Sequence, residues 1–187
     1  MSRRRVAALA LVLLTALTAG AGCSKGGATG GDKVKARTWA KQICGTVRPW
    51  AEHIQQSVTD AQATLGNTSE PAVAKPKLSR LFGDAATETD NAIKGVDRAG
   101  VPDVKDGQAV AKQFRAALVS ARDAFAKAKR SVDQLDTSDK ATFNAAVVRI
   151  GTQLSADYGS AGKKIDTSKS DELKKAFDTE PACTKAG

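Results

Sequence analysis

Apolar residues recur every three or four positions through most of this chain, and that spacing restricts the fold more than any other feature. The pattern is clearest over residues 106–135, where the spacing alternates between four and three. Its members are Phe114, Leu118, Ala121, Phe125, Ala128, Val132 and Leu135. A period of 3.6 residues places them on one helix face, and the heptad spacing suits a shallow crossing angle. Because no long polar–apolar alternation predicts a strand, the sequence predicts an all-α fold.

The same spacing predicts three further long helices and one short helix. The first covers residues 33–65, and the second begins within residues 70–77 and ends at Gly100. The fourth follows a capping segment that ends at Asp139, and the short fifth lies near residues 170–178. Short connections between four long amphipathic helices favour an antiparallel, up-down four-helix bundle. We therefore expect that bundle, with a short C-terminal fifth helix, over residues 33–187.

The prolines and glycines predict local features at two positions. Pro49 lies inside the first helix, where its ring clashes with the carbonyl of Gly45, so we expect a kink, or a break and restart, between them. Gly100 precedes Val101 and Pro102, an order typical of a helix end: glycine takes the left-handed conformation and proline prevents continuation. Glycines within the second and fourth helices have two interpretations, either close approach of helices or room for a ligand.

Residues 1–22 are typical of a secretory signal peptide. Three arginines precede an apolar run from Val6 to Leu17 and a series of small residues. The run is too short for a membrane span. The arginines partly resemble a twin-arginine signal, so both the general and the twin-arginine export routes remain open.

Cys23 follows this signal, and two cleavage sites compete there. Ala21-Gly22-Cys23 resembles the end of a bacterial lipobox, in which the cysteine is lipidated, although Gly20 stands where leucine is usual. Ala19-Gly20-Ala21 also fits ordinary cleavage before Gly22. We favour lipid attachment at Cys23, followed by a flexible Gly-rich tether over residues 23–32.

The three cysteines of the chain support this interpretation. An odd number is unusual in an oxidising compartment, but a lipid on Cys23 leaves Cys44 and Cys183 free to pair. A fifth segment that folds back on the first helix would bring those two together. We expect a structural disulfide, because no C-x-x-C motif suggests redox chemistry. The alternative is two free thiols in a reducing cytosol.

No motif for catalysis, a metal or a cofactor is recognisable. His53 is the single histidine and has no partner at metal-ligand spacing. Nucleophile elbows, phosphate loops and dinucleotide fingerprints are all missing from the sequence. We therefore expect a protein that is not an enzyme and binds no cofactor. Its location and few aromatic residues also disfavour nucleic acid as a partner.

Trp39 and Trp50 are eleven residues apart, so they share one face of the first helix. They are either core aromatic residues or a partner-binding surface. The net charge is +9, and +6 without residues 1–22, with the densest cationic run at Lys127, Lys129 and Arg130. Such a run is usually a solvated helix face, and its attraction to anionic lipids or wall polymers would be nonspecific.

Three short segments resemble a family of small exported actinobacterial lipoproteins of unassigned function. They are Trp39-Ala40-Lys41-Gln42-Ile43-Cys44 followed by Pro49-Trp50, Ala99-Gly100-Val101-Pro102-Asp103, and Glu180-Pro181-Ala182-Cys183. The resemblance implies a helical, disulfide-closed module at the outer face of a single plasma membrane, and implies no activity.

Together these features favour a lipid-anchored, non-catalytic binding or scaffold module at the cell envelope. Its membrane contact would be the lipid on Cys23, and its partner an envelope protein or cell-wall component. A small-ligand carrier with a cavity between helices is the alternative.

Overall fold

A computed structural model describes residues 32–66, 70–162 and 170–184. The predicted signal peptide, Cys23 and all but the last residue of the predicted tether lie outside these ranges. The described chain is all-α except for two strands of two residues each, which confirms the predicted fold class. In chain order the elements are β1 (Lys33–Val34), α1 (Ala36–Gly66), α2 (Pro71–Arg98), β2 (Val101–Pro102), α3 (Gly107–Asp133), α4 (Lys140–Gly162), α5 (Asp171–Thr179) and α6 (Pro181–Thr184).

Helix α1 continues through Pro49, so of the two expected outcomes the break and restart is wrong, and the kink stays a prediction. Proline provides no N–H for the carbonyl of Gly45, but Gly45 and Pro49 are both exposed, and water can solvate that carbonyl. The opposite side of the helix carries Trp39, Ile43 and Ile54 into the core. Burial of this face from Ala36 to Ile54 outweighs the local cost of the proline.

Helices α1 and α2 pack with opposite directions. Near the start of α1, Thr46 lies against Gly95 at the end of α2, and a Cβ on that glycine would overlap the threonine side chain. Further along α1, Trp50 Nε1 donates to Thr89 Oγ1 at 3.0 Å. Later residues of α1 thus meet earlier residues of α2. The close-approach interpretation of the helix glycines is correct for Gly95.

The α2–α3 and α3–α4 pairs are also antiparallel, since rising positions on one helix meet falling positions on the next. Between α2 and α3, Asp97 pairs with Arg115 and Ser79 with Asp133. Between α3 and α4, Lys127 pairs with Asp157, and Val132 shares an apolar cluster with Phe143. Helix α4 packs mainly on α3 and reaches α1 where the rings of Tyr158 and Trp50 lie 6.2 Å apart. Closure of these helices into a four-helix up-down bundle stays a prediction.

The core has three apolar clusters along the helices. The largest surrounds Trp39 and joins α1, α2, α3 and α5. The second lies around Phe125 in the middle of the helices, and the third around Phe143 where α3 ends and α4 begins. The heptad face of α3 supplies all three clusters, as its spacing predicted.

Strands β1 and β2 form a short parallel pair that the sequence did not predict. Val101 N donates to Asp32 O at 3.1 Å, and Asp103 N donates to Val34 O at 2.7 Å. Two residues are too few for an alternating pattern to be detected. The pair fixes the start of the described chain against the α2–α3 connection.

Gly100 adopts the left-handed conformation predicted for it, with φ of +70°. A Cβ here would lie 2.6 Å from the carbonyl oxygen of Asp32, so glycine also permits the approach of the incoming chain. At the opposite end of the fold, Asp139 accepts from Thr142 N at 2.7 Å and caps α4. Both predicted boundary residues therefore act as expected.

The predicted disulfide between Cys44 and Cys183 is confirmed. It joins α1 to α6, a one-turn helix absent from the sequence prediction. The preceding helix α5 is capped at its N-terminus by Ser170, whose Oγ accepts from Leu173 N at 3.2 Å. Leu173 and Ala176 of α5 are buried against the Trp39 cluster. We call α5 and α6 together the C-terminal clasp, because the disulfide fastens them to α1.

We predict that the double substitution Cys44→Ser/Cys183→Ser lowers the free energy of unfolding by about 4–5 kcal/mol. The reason is that the bond closes a loop across a sequence separation of 139 residues. Urea denaturation of the mature chain, residues 23–187, measures the change. Cys23→Ser is the matched control and should leave the midpoint unchanged; equal midpoints for all three proteins would contradict the assignment of stability to this bond.

Candidate functional site

Trp39 is wholly buried, so the partner-surface hypothesis is wrong for this residue. Its ring makes edge contacts with Phe114 and Phe177, at centroid distances of 5.4 and 5.9 Å. Its indole Nε1 donates to Gly100 O at 3.1 Å. The hydrogen bond satisfies the polar atom, and the ring fills the space between α1, α3 and the clasp. Trp39 is a core residue.

Trp50 is half-buried, and its polar atom is also engaged inside the protein. Its N–H donates to the hydroxyl of Thr89, which in turn donates to Ala85 O at 2.6 Å. Tyr158 packs nearby, and burial raises the pKa of its phenol. The two tryptophans share a helix face as predicted, but that face turns inward. Only the exposed part of the Trp50 ring is left for a partner.

The acidic and histidine side chains do not converge on a reactive centre in the described ranges. His53 is exposed on α1. Within residues 32–66, 70–162 and 170–184, no group of three or more His, Cys, Asp or Glu side chains could hold a metal ion. Over the same ranges, no helix combines the length and apolarity needed to cross a membrane.

A groove of about 490 Å³ between α3 and α4 is the candidate binding site. Small side chains explain why it exists: Ala124 and Ala128 face Ala146 across the helix seam, and alanine is too short to fill the gap between two backbones. The floor is apolar and the rim is polar. Its lining residues are Ala124, Lys127, Ala128, Ser131, Gln134, Leu135, Ala146, Arg149, Ile150, Gln153, Leu154 and Asp157.

One ion pair crosses the groove. Lys127 Nζ lies 3.2 Å from Asp157 Oδ2, and Gln153 Nε2 donates to Asp157 Oδ1 at 2.8 Å. These two hydrogen bonds, the one from Lys127 foremost, hold the pKa of the Asp157 carboxyl below its usual value. The carboxylate is therefore charged and already occupied at neutral pH, which makes it a poor general base.

Arg149 gives the groove a cation that is free to bind. It is exposed and makes no hydrogen bond or ion pair within the described part of the chain. With Lys127 balanced by Asp157, the rim carries one net positive charge. An apolar floor beside an available guanidinium suits a ligand with an apolar body and an anionic group.

No family model, curated protein or solved structure matches this chain.

The sequence offers a cavity between helices only as an alternative and does not locate it, although one signal for the α3–α4 groove is visible. Ala124 and Ala128 are four residues apart on α3, where a tightly packed seam would carry larger residues. The glycines of α4 did not indicate the position of this groove. Gly151 and Gly159 of α4 are exposed and have open space around them, so they neither admit a neighbouring helix nor line the groove.

Proposed function

We propose that this chain is a membrane-anchored extracytoplasmic lipoprotein that acts as a non-catalytic binding or scaffold module. In this proposal the signal peptide directs export, Cys23 carries the lipid and the Gly-rich segment links it to the helical domain. The protein would then work at the outer face of the cell membrane, like the actinobacterial lipoproteins that it resembles. Its partner would be an envelope protein or a cell-wall component.

The disulfide between Cys44 and Cys183 is the observation that carries the proposal. Such bonds form and persist mainly in oxidising compartments outside the cytosol. The bond also accounts for two of the three cysteines, which leaves Cys23 available for modification. Its position directly after a signal-like segment supports lipid attachment over a free thiol.

The chemistry of the α3–α4 groove supports binding in preference to catalysis. Ser131 is the one hydroxyl among its lining residues, and histidine and cysteine are missing from that lining. The groove carboxylate, Asp157, accepts hydrogen bonds from Lys127 and Gln153. A nucleophile with a base and an orienting group is therefore not assembled there.

The anchor is tested by the intact mass of the protein extracted from membranes of the native host. We expect removal of residues 1–22, an added mass equal to a diacylglyceryl group on Cys23, and a gain of two hydrogens on reduction of the disulfide. Cys23→Ser is the matched control, and it should be released from the membrane fraction. An unmodified Cys23, or a protein with three free thiols, would overturn the proposal.

A binding role is tested by crosslinking on cells that carry the lipidated protein. We expect a defined envelope component to be crosslinked to it and to be lost with the anchorless Cys23→Ser form. Equal, unselective crosslinking by both forms would count against a scaffold at the membrane.

The groove favours a second candidate function, a carrier for an anionic amphiphile. Its volume lies within the range typical of small-molecule sites, about 300–1,000 Å³. The apolar floor would take the hydrocarbon part, and Arg149 would pair with the anionic group.

Titration of the mature chain with a fluorescent fatty acid tests the carrier function. We expect saturable binding that Arg149→Gln weakens about fivefold or more, because one charge-assisted contact is lost. Arg80→Gln is the matched control, since Arg80 is an exposed residue of α2 outside the groove and has no ion pair with another described residue. No saturable binding, or equal affinities for both variants, would exclude the carrier.

A further inference from the structure

The point at which the chain enters the domain is fixed. β1 is held to β2 by the backbone bonds of Asp32 and Val34 with Val101 and Asp103. Lys33 adds an ion pair, with its Nζ 3.0 Å from Asp103 Oδ1. The described chain therefore enters the domain beside the α2–α3 connection.

Chain length limits which end of the domain can meet the membrane. Nine residue steps separate Cys23 from Asp32, and a fully extended chain covers at most about 30 Å over that length. Helix α3 has 27 residues and is about 40 Å long. A domain that stood on the end formed by the start of α2 and the end of α3 would hold Asp32 farther from the membrane than the segment from Cys23 can span. The end at the chain entry can rest on a membrane that holds Cys23.

We define the anchor-side end as residues 32–41 and 94–115. It carries nine Lys or Arg residues against four Asp, a net charge of +5. The clasp beside it, residues 171–184, adds two Lys and four acids, so the two together have a net charge of +3. The opposite end, residues 70–80 with 127–140, also has a net charge of +3, from seven cations and four acids. The two ends therefore differ in their distance from Cys23 along the extended chain, and not in their net charge.

Many anchor-side cations have no internal partner. Ion pairs occupy Lys33, Arg37 and Arg115. Six others are exposed and make no ion pair or side-chain hydrogen bond with any residue that the structure describes. They are Lys35, Lys41, Lys94, Arg98, Lys105 and Lys112.

The cationic run that stands out in the sequence is different, because its lysines are engaged. Lys127 pairs with Asp157, and Lys129 Nζ lies 2.7 Å from Asp133 Oδ2. The anchor-side lysines named above, and not Lys127 and Lys129, are therefore the ones without a partner among the described residues.

We propose that the anchor-side end rests on anionic phospholipid headgroups, with Lys35, Lys105 and Lys112 facing them. The inference depends on the proposed anchoring at Cys23. Each lysine near an anionic leaflet strengthens attraction several-fold, and the attraction acts only within a Debye length of about 8–10 Å. A lipid anchor supplies that proximity. The domain then stands on this end, with the junction of α3 and α4 around Asp139 directed away from the membrane.

The test uses the mature chain, residues 23–187, coupled through the Cys23 thiol to a maleimide lipid in vesicles. The disulfide leaves Cys23 as the single free thiol for the coupling. Amine acetylation followed by mass spectrometry reports the exposure of each lysine. We expect Lys35, Lys105 and Lys112 to react at least threefold more slowly on vesicles containing phosphatidylglycerol than on phosphatidylcholine alone. High salt should remove the difference.

Charge reversal provides matched variants at the two ends. Lys105→Glu/Lys112→Glu should abolish the protection of Lys35, and Lys77→Glu/Lys140→Glu at the opposite end should preserve it. Circular dichroism verifies that both variants keep the helical fold. Because a synthetic lipid replaces the natural one, the result does not depend on acylation in cells, and an unmodified Cys23 in native protein would overturn only the proposed function.

Three outcomes would overturn the membrane-facing surface. One is equal protection of Lys35 and Lys77, and another is the same protection on neutral and anionic vesicles. The third is protection by a soluble poly(glycerol phosphate) with none on vesicles, which would assign these lysines to a wall polymer.

Discussion

The bond between Cys44 and Cys183 is the constraint on which the rest of the structure depends. It joins the first long helix to the last four described residues, so the chain closes on itself. The clasp that it fastens packs on α1 and places Phe177 against Trp39. A nine-residue helix such as α5 is too short to be stable alone in water, so it depends on this docking.

Three connections meet at the end of the domain that the disulfide closes. The indole of Trp39 bonds to Gly100, Gly100 admits the incoming chain at Asp32, and β1 pairs with β2. The clasp covers the other side of the same tryptophan. The disulfide, the strand pair and the Trp39 hydrogen bond thus cross-connect this end of the domain. The α3–α4 seam, in contrast, is lined by alanines and leaves a groove for a ligand or partner.

Sequence patterns predicted what depends on local chemistry and periodicity. The heptad face of α3, the left-handed Gly100 and the cap at Asp139 each follow from residue type and spacing. The disulfide followed from the cysteine count and the expected return of the chain. Features that depend on tertiary contact were missed or left open: the two-residue strands were missed, while the position of the groove and the choice between a buried and a partner-binding Trp39 were left open. A tryptophan on a helix face has the same sequence signature whether a clasp covers it or a partner does.

The indole N–H groups of the two tryptophans provide the most direct test of the clasp. Hydrogen exchange followed by NMR, before and after reduction of the disulfide, compares Trp39, bonded to Gly100, with Trp50, bonded to Thr89. If the disulfide holds the clasp over Trp39, reduction should accelerate exchange at Trp39 at least tenfold and leave Trp50 nearly unchanged. Unchanged exchange at both indoles, or equal acceleration at both, would contradict this account.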